Sequence, residues 1–231
     1  MATSGTTSFD LSIEEIIQEA YERCGMTTTS GHSLKSARIS LNLLFAEWAN
    51  RGIHLWKVAL HENALVSGQA EYSVSAPVSD VLEAYISSTA AASDSASTQD
   101  VSLTKIDRSA YAALPNKLAT GQPSQYYVER ETTPKIYLYQ APDLNTYTTL
   151  KYYVIKRIED AGAYTNEADV VFRFLPCMVA GLAYYLAMKN APQLVQQNKF
   201  IYEDQLKRAL DEDGQRASTF ITPQSFYPQG I

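Results

Sequence analysis

The sequence predicts an α+β fold: a four-helix bundle formed by N- and C-terminal helix pairs, with an inserted antiparallel β-sheet or sandwich module. Three observations predict it. Apolar residues recur at helical spacing over the first fifty residues and again beyond Phe172. Between those stretches lie short alternating runs separated by turn residues, the pattern of an antiparallel sheet or sandwich. The chain has 231 residues and is 45% hydrophobic, enough to bury a sizeable core. Neither helix pair can bury its apolar stripe alone, so the two ends are expected to pack together. The expected boundaries are a helical hairpin over 1–55, a β module over 56–165, a second helical pair over 166–219 and an extended arm over 220–231.

Residues 1–9 are small and polar, the composition of a frayed end. Ser12 and Glu15 have capping-box spacing, with Leu11 and Ile16 placed as a hydrophobic staple. Ile13, Ile16, Ile17, Ala20 and Cys24 form an apolar helix face. Glu14, Glu15, Glu19 and Glu22 form the wet one, and Gly25 stops the helix. After a Thr/Ser/Gly loop, Leu34, Ala37, Leu41, Leu44, Phe45 and Trp48 mark the stripe of a second helix, which Gly52 ends.

The period then shortens. Trp56, Val58 and Leu60 alternate with Lys57, Ala59 and His61, which predicts a strand. Further strands are expected at Glu71–Val74, Val81–Ile86, Val101–Ile106, Gln125–Glu131, Lys135–Tyr139 and Tyr147–Ile158. Residues 87–99 read as a loop, and Ser109–Leu114 as one helical turn. Pro176 fits the first turn of a third long helix. Its Leu175, Val179, Leu182 and Leu186 are apolar, and Ala180, Gly181, Ala183 and Ala187 make a small-residue face. A last helix is expected from Pro192 to Ser218, roughly 40 Å long. The tail holds Phe220, Pro223, Phe226, Tyr227 and Pro228 and cannot be helical throughout.

Composition narrows the function. Net charge is −6, from 19 Lys+Arg and 25 Asp+Glu, and no segment is strongly basic, so a phosphate-tracking groove is not expected. No apolar run approaches the ~20 residues of a membrane span. The N-terminus lacks a signal peptide's basic and apolar regions, which predicts synthesis in the cytoplasm and no membrane partner. Cys24 and Cys177 read as reduced, buried thiols. His32, His54 and His61 lack metal-ligand spacing, and no phosphate loop or nucleophile motif occurs. Neither cofactor nor metal nor catalysis is expected. The 16 tyrosines, among them Tyr126, Tyr127, Tyr137, Tyr139, Tyr147, Tyr152 and Tyr153, suit cross-strand pairs and subunit contacts.

Three stretches resemble a known family. Ile-Ile-Gln-Glu-Ala-Tyr-Glu-Arg-Cys-Gly (16–25) and Ser-Leu-Asn-Leu-Leu-Phe-Ala-Glu-Trp-Ala-Asn-Arg-Gly-Ile (40–53) with Trp56 resemble the start of a head-to-tail adaptor (connector) of tailed bacteriophages. Phe-Leu-Pro-Cys-Met-Val-Ala-Gly-Leu-Ala-Tyr-Tyr-Leu-Ala (174–187) resembles the adaptors of short-tailed phages. The resemblance covers both helical ends; the strand block fits in kind. It implies a structural virion protein of the neck: a ring of twelve copies that binds the portal, extends the DNA channel and docks tail nozzle, tube or fibre proteins. Genome DNA would pass the lumen without specific binding.

A closed ring needs two different patches per subunit, which small-residue helix faces and a Tyr-rich sheet could supply. An acidic lumen would repel phosphate. Glu14, Glu15, Glu19 and Glu22, or Asp211, Glu212 and Asp213, are the candidates to line it, against the plainer reading of a solvated helix face. The arm, with Phe220, Pro223, Phe226, Tyr227 and Pro228, is the candidate contact to portal or neighbour. The alternatives, in order, are a tail nozzle or tube component, a glycan-binding β-sandwich using the tyrosines, and a cell-wall hydrolase.

Overall fold

The structure is a computed structural model that describes residues 5, 9–27, 31–74, 77–88, 99–131 and 133–214. It is mixed α+β, with five α-helices and several sheets among these residues. The chain divides into two compact units. One combines residues 1–40 with 170–231; the other is the continuous stretch 41–169.

In the helical unit, α1 (Ile13–Arg23) begins with the expected capping box. The Ser12 hydroxyl accepts from the Glu15 backbone N–H, and the Glu15 carboxylate accepts from the Ser12 N–H at 2.8 Å. Gly25, at φ +69°, takes the left-handed conformation that ends the helix. Helix α4 (Leu175–Asn190) packs against both α1 and α5 (Val195–Asp213). The small residues of α4 are used inside this unit. Ala180, Ala183 and Ala187 are buried, and the Cys24 thiol donates to the Ala183 carbonyl at 3.3 Å. The expected use of this face between subunits is therefore corrected.

Helix α2 (Gly31–Asn50) starts in this unit and ends in the other. Its first half is tied by the Tyr21 hydroxyl to the Ser33 carbonyl at 3.1 Å. Lys189 reaches the hydroxyls of Ser36 at 3.1 Å and Ser40 at 2.7 Å. Ala37, Leu41, Leu44, Phe45 and Trp48 are buried, as their spacing predicts. Helix α5 is shorter than expected. Pro192–Leu194 form a 3-10 turn, and the helix stops at Asp213 before an extended Gly214, a residue with weak helix propensity.

The second unit is a sandwich. One sheet has the order β1-β10-β3-β4, built from β1 (Val58–Ala64), β10 (Thr149–Lys156), β3 (Val78–Ser87) and β4 (Asp100–Ser102). The other has the order β2-β8-β7-β5, built from β2 (Glu71–Ser73), β8 (Lys135–Tyr139), β7 (Gln125–Glu129) and β5 (Thr104–Ile106). Val81, Ile86, Tyr152 and Val154 from the first meet Tyr72, Tyr126, Ile136 and Leu138 from the second in one core. The Tyr126 hydroxyl crosses between sheets to the Leu82 carbonyl at 3.0 Å.

Three expectations are corrected here. Trp56 lies in a 3-10 turn, Leu55–Lys57, not in a strand. On β1, Val58 and Leu60 are exposed, while Ala59 packs on the core. Val101–Ile106 is two strands, because buried Leu103 carries the chain from one sheet to the other. Pairing is not wholly antiparallel. β5 runs parallel to β7, and β6 (Thr120–Gly121) runs parallel to β9 (Ala141–Pro142). Parallel neighbours need a long crossover, and residues 107–124, with α3 (Arg108–Ala113), provide it for β5 and β7.

Candidate functional site

Glu14, Glu15, Glu19 and Glu22 all sit on the exposed side of α1. Three are engaged locally. Glu15 holds the capping box, and the Ser12 backbone and side-chain hydrogen bonds lower its pKa. Glu19 pairs with Arg23 at 2.9 Å, and Glu22 accepts from Gln18 at 3.0 Å. Glu14 makes no ion pair or hydrogen bond among the described residues.

On α5, Asp211 and Glu212 are exposed in the last turn. Three carboxylates there face the negative end of the helix dipole, a placement costing about 0.3–1 kcal/mol each. Asp213 is offset by an ion pair with Arg173, whose partner oxygen belongs to a nearly buried side chain. Arg208 pairs back with Asp204 at 2.6 Å rather than forward with the acidic run. The arm residues Phe220, Pro223, Phe226, Tyr227 and Pro228 lie outside the described residues.

Apolar side chains missed in the sequence reading lie outside this closed core. Ile39 and Leu43, one turn apart on α2, are 51% and 53% exposed, and Phe200 on α5 is 74% exposed. Their signal was available: each falls off the stripe that its own helix buries. Along α1 and α4 and the residues leading into them, Phe9, Leu11, Phe172, Leu175, Pro176 and Val179 line a groove of about 480 Å³, with Glu15, Gln18, Glu19, Glu22 and Arg23 along it.

Three of the tyrosines, Tyr111, Tyr127 and Tyr137, pack on one another. Tyr111 of α3 stacks on Tyr127 of β7 at 5.4 Å and contacts Tyr137 of β8 at 5.7 Å, covering the outward face of that sheet. The Tyr137 hydroxyl donates to Glu129 at 3.0 Å; burial, then that bond, push its pKa up to about 12. A sugar-stacking platform would need these rings free, and α3 sits on them.

Both thiols are buried. Burial pushes Cys177 up to about 12 and raises Cys24, so neither is an activated nucleophile. Among the described residues, no group of three or more His, Cys, Asp or Glu is placed to hold a metal ion, and no helix is long and apolar enough to cross a membrane.

Exposed apolar positions on the helices thus accompany a buried core. The model of the SU10 adaptor protein family matches residues 34–225, and the chain belongs to that family of phage head–tail adaptors. It is therefore a structural bacteriophage protein of the virion. No curated protein matches the sequence.

Proposed function

We propose that this adaptor forms a closed ring beneath the portal, continues the DNA channel and offers the tail its docking surface. Twelve copies would match the portal's symmetry. The helices of 1–55 and 166–219 form the four-helix scaffold of the ring. The Tyr21–Ser33 and Lys189–Ser36 hydrogen bonds, which tie α2 to α1 and α4, support that scaffold. The inserted module, 56–165, presents its exposed sheet residues to tail proteins.

The observation that carries the reading, within a chain of this family, is the pair of unlike exposed apolar positions, Ile39/Leu43 and Phe200. A ring requires two unlike patches that meet head to tail, and these positions lie on different helices. Glu14, Asp211 and Glu212 are the lumen candidates least engaged in local pairs. Glu15, Glu19, Glu22 and Asp213 are held by neighbours and contribute charge from there. The arm, through Phe220, Pro223, Phe226, Tyr227 and Pro228, grips the portal.

Sizing with purified portal rings tests this. The adaptor alone runs small and co-migrates with the portal as one large species. Failure to bind the portal at any concentration overturns the proposal.

A further inference from the structure

The groove on α1 and α4 is apolar along its floor, yet Phe9 and Phe172 stand 59% and 69% exposed on its walls. Its volume of about 480 Å³ is within the ~300–1,000 Å³ of ligand pockets. Each aromatic ring delivered to such a site buries roughly 150–250 Å². Something with aromatic anchors and no negative charge fits it, because Glu15, Glu19 and Glu22 outnumber the one cation on it, Arg23, which is already paired with Glu19.

Residues 215–231 of this chain have that chemistry. They contain Phe220, Phe226 and Tyr227, one Arg (Arg216), and no Asp or Glu. They also start in the right place. The chain leaves α5 at Gly214, next to Asp213. Asp213 is paired with Arg173, and Arg173 adjoins Phe172 on the groove wall. The wall from Phe172 to Val179 is about 10 Å of helix. An extended segment of this length reaches roughly 50 Å. A tether this short holds its end at about millimolar effective concentration, which a separate partner must exceed.

We propose that, in the free subunit, residues 220–231 dock into the α1/α4 groove of their own chain, with Phe226 and Tyr227 seated against Phe9 and Phe172. Leaving the groove then releases the arm and uncovers an apolar face in one step. That release rests on the portal-binding reading; the docking does not, and the experiment reads docking alone.

The test uses the full chain with Gln229→Cys carrying a fluorophore, since Cys24 and Cys177 are buried. Docking gives the tail the slow rotation of the folded protein, independent of protein concentration. Phe172→Asp, at an exposed position, lowers the anisotropy to that of the same labelled tail as a free peptide. An excess of unlabelled 215–231 peptide does the same. Leu118→Asp, at an equally exposed apolar position that the ring contact does not use, leaves it unchanged. A tail that already tumbles freely in the parent chain overturns the proposal. So does an anisotropy that falls on dilution, which places the tail on a second copy, or one insensitive to Phe172→Asp.

Discussion

Cys177 sits in the first turn of α4, where a helix N-terminus favours a thiolate, yet burial wins and the thiol donates to the Phe174 carbonyl at 3.1 Å. Its folded pKa, about 12, lies above the ~8.5 of an unfolded cysteine. Tyr126, also raised to about 12 by burial, lies above its unfolded ~10. Both groups hold their protons more tightly when folded. Their contribution is complete below pH ~8.5 and is lost as pH climbs toward 12, at up to about 1.4 kcal/mol per pH unit for each group. Urea midpoints should fall steeply between pH 8.5 and 11, and the fall should be shallower in Cys177→Ala. A pH-independent midpoint would contradict this. Trp48 is fully buried, and Trp48→Ala should cost about 3–5 kcal/mol in the same titration.

Among elements, α5 is the one whose end is held electrostatically. Arg173→Ala leaves the nearly buried Asp213 carboxylate unpaired beside two further acids at a negative helix end. A loss of about 1–3 kcal/mol is expected. Asp213→Asn should cost less, because it also removes the charge that the dipole opposes. Thermal melts of the two variants decide the order. Ala183→Leu should cost roughly 1–3 kcal/mol by overpacking the site where Cys24 approaches the α4 backbone.

The helices were the legible elements. The capping box at Ser12, the stop at Gly25 and the stripe ending at Trp48 are local signals, and each formed as read. The strands were legible as segments and not as a topology. Periodicity places Val58 and Leu60 on one face of β1 but does not say which face is wet. Here the small Ala59 packs inward and the larger residues face out. Nor does a run such as Val101–Ile106 reveal that Leu103 switches sheets, since that depends on the opposite sheet. At the candidate site, the acidic residues were readable one by one. The Arg173–Asp213 pair was not, because its members lie forty residues apart and meet only through the α4–α5 packing.

For the molecule as a whole, the account separates folding from assembly. Exposed positions should be dispensable for the fold and necessary for the ring. Ile39→Asp with Leu43→Asp, and separately Phe200→Asp, should leave melting within about 0.5 kcal/mol of the parent. Each should abolish co-migration with portal rings. Because the interface is heterologous, an equal mixture of the two variants can form one intact contact and should yield dimers but no closed ring. Replacing Glu14, Asp211 and Glu212 by lysine should leave the ring intact and slow DNA passage, read as slower genome release from assembled particles. The most direct measurement is cryo-electron microscopy of the particle neck. The account predicts a continuous annulus of this chain against the portal, with helices of neighbouring copies in contact through Ile39, Leu43 and Phe200. Density for this chain only away from the portal, or as isolated copies that do not touch, would contradict it.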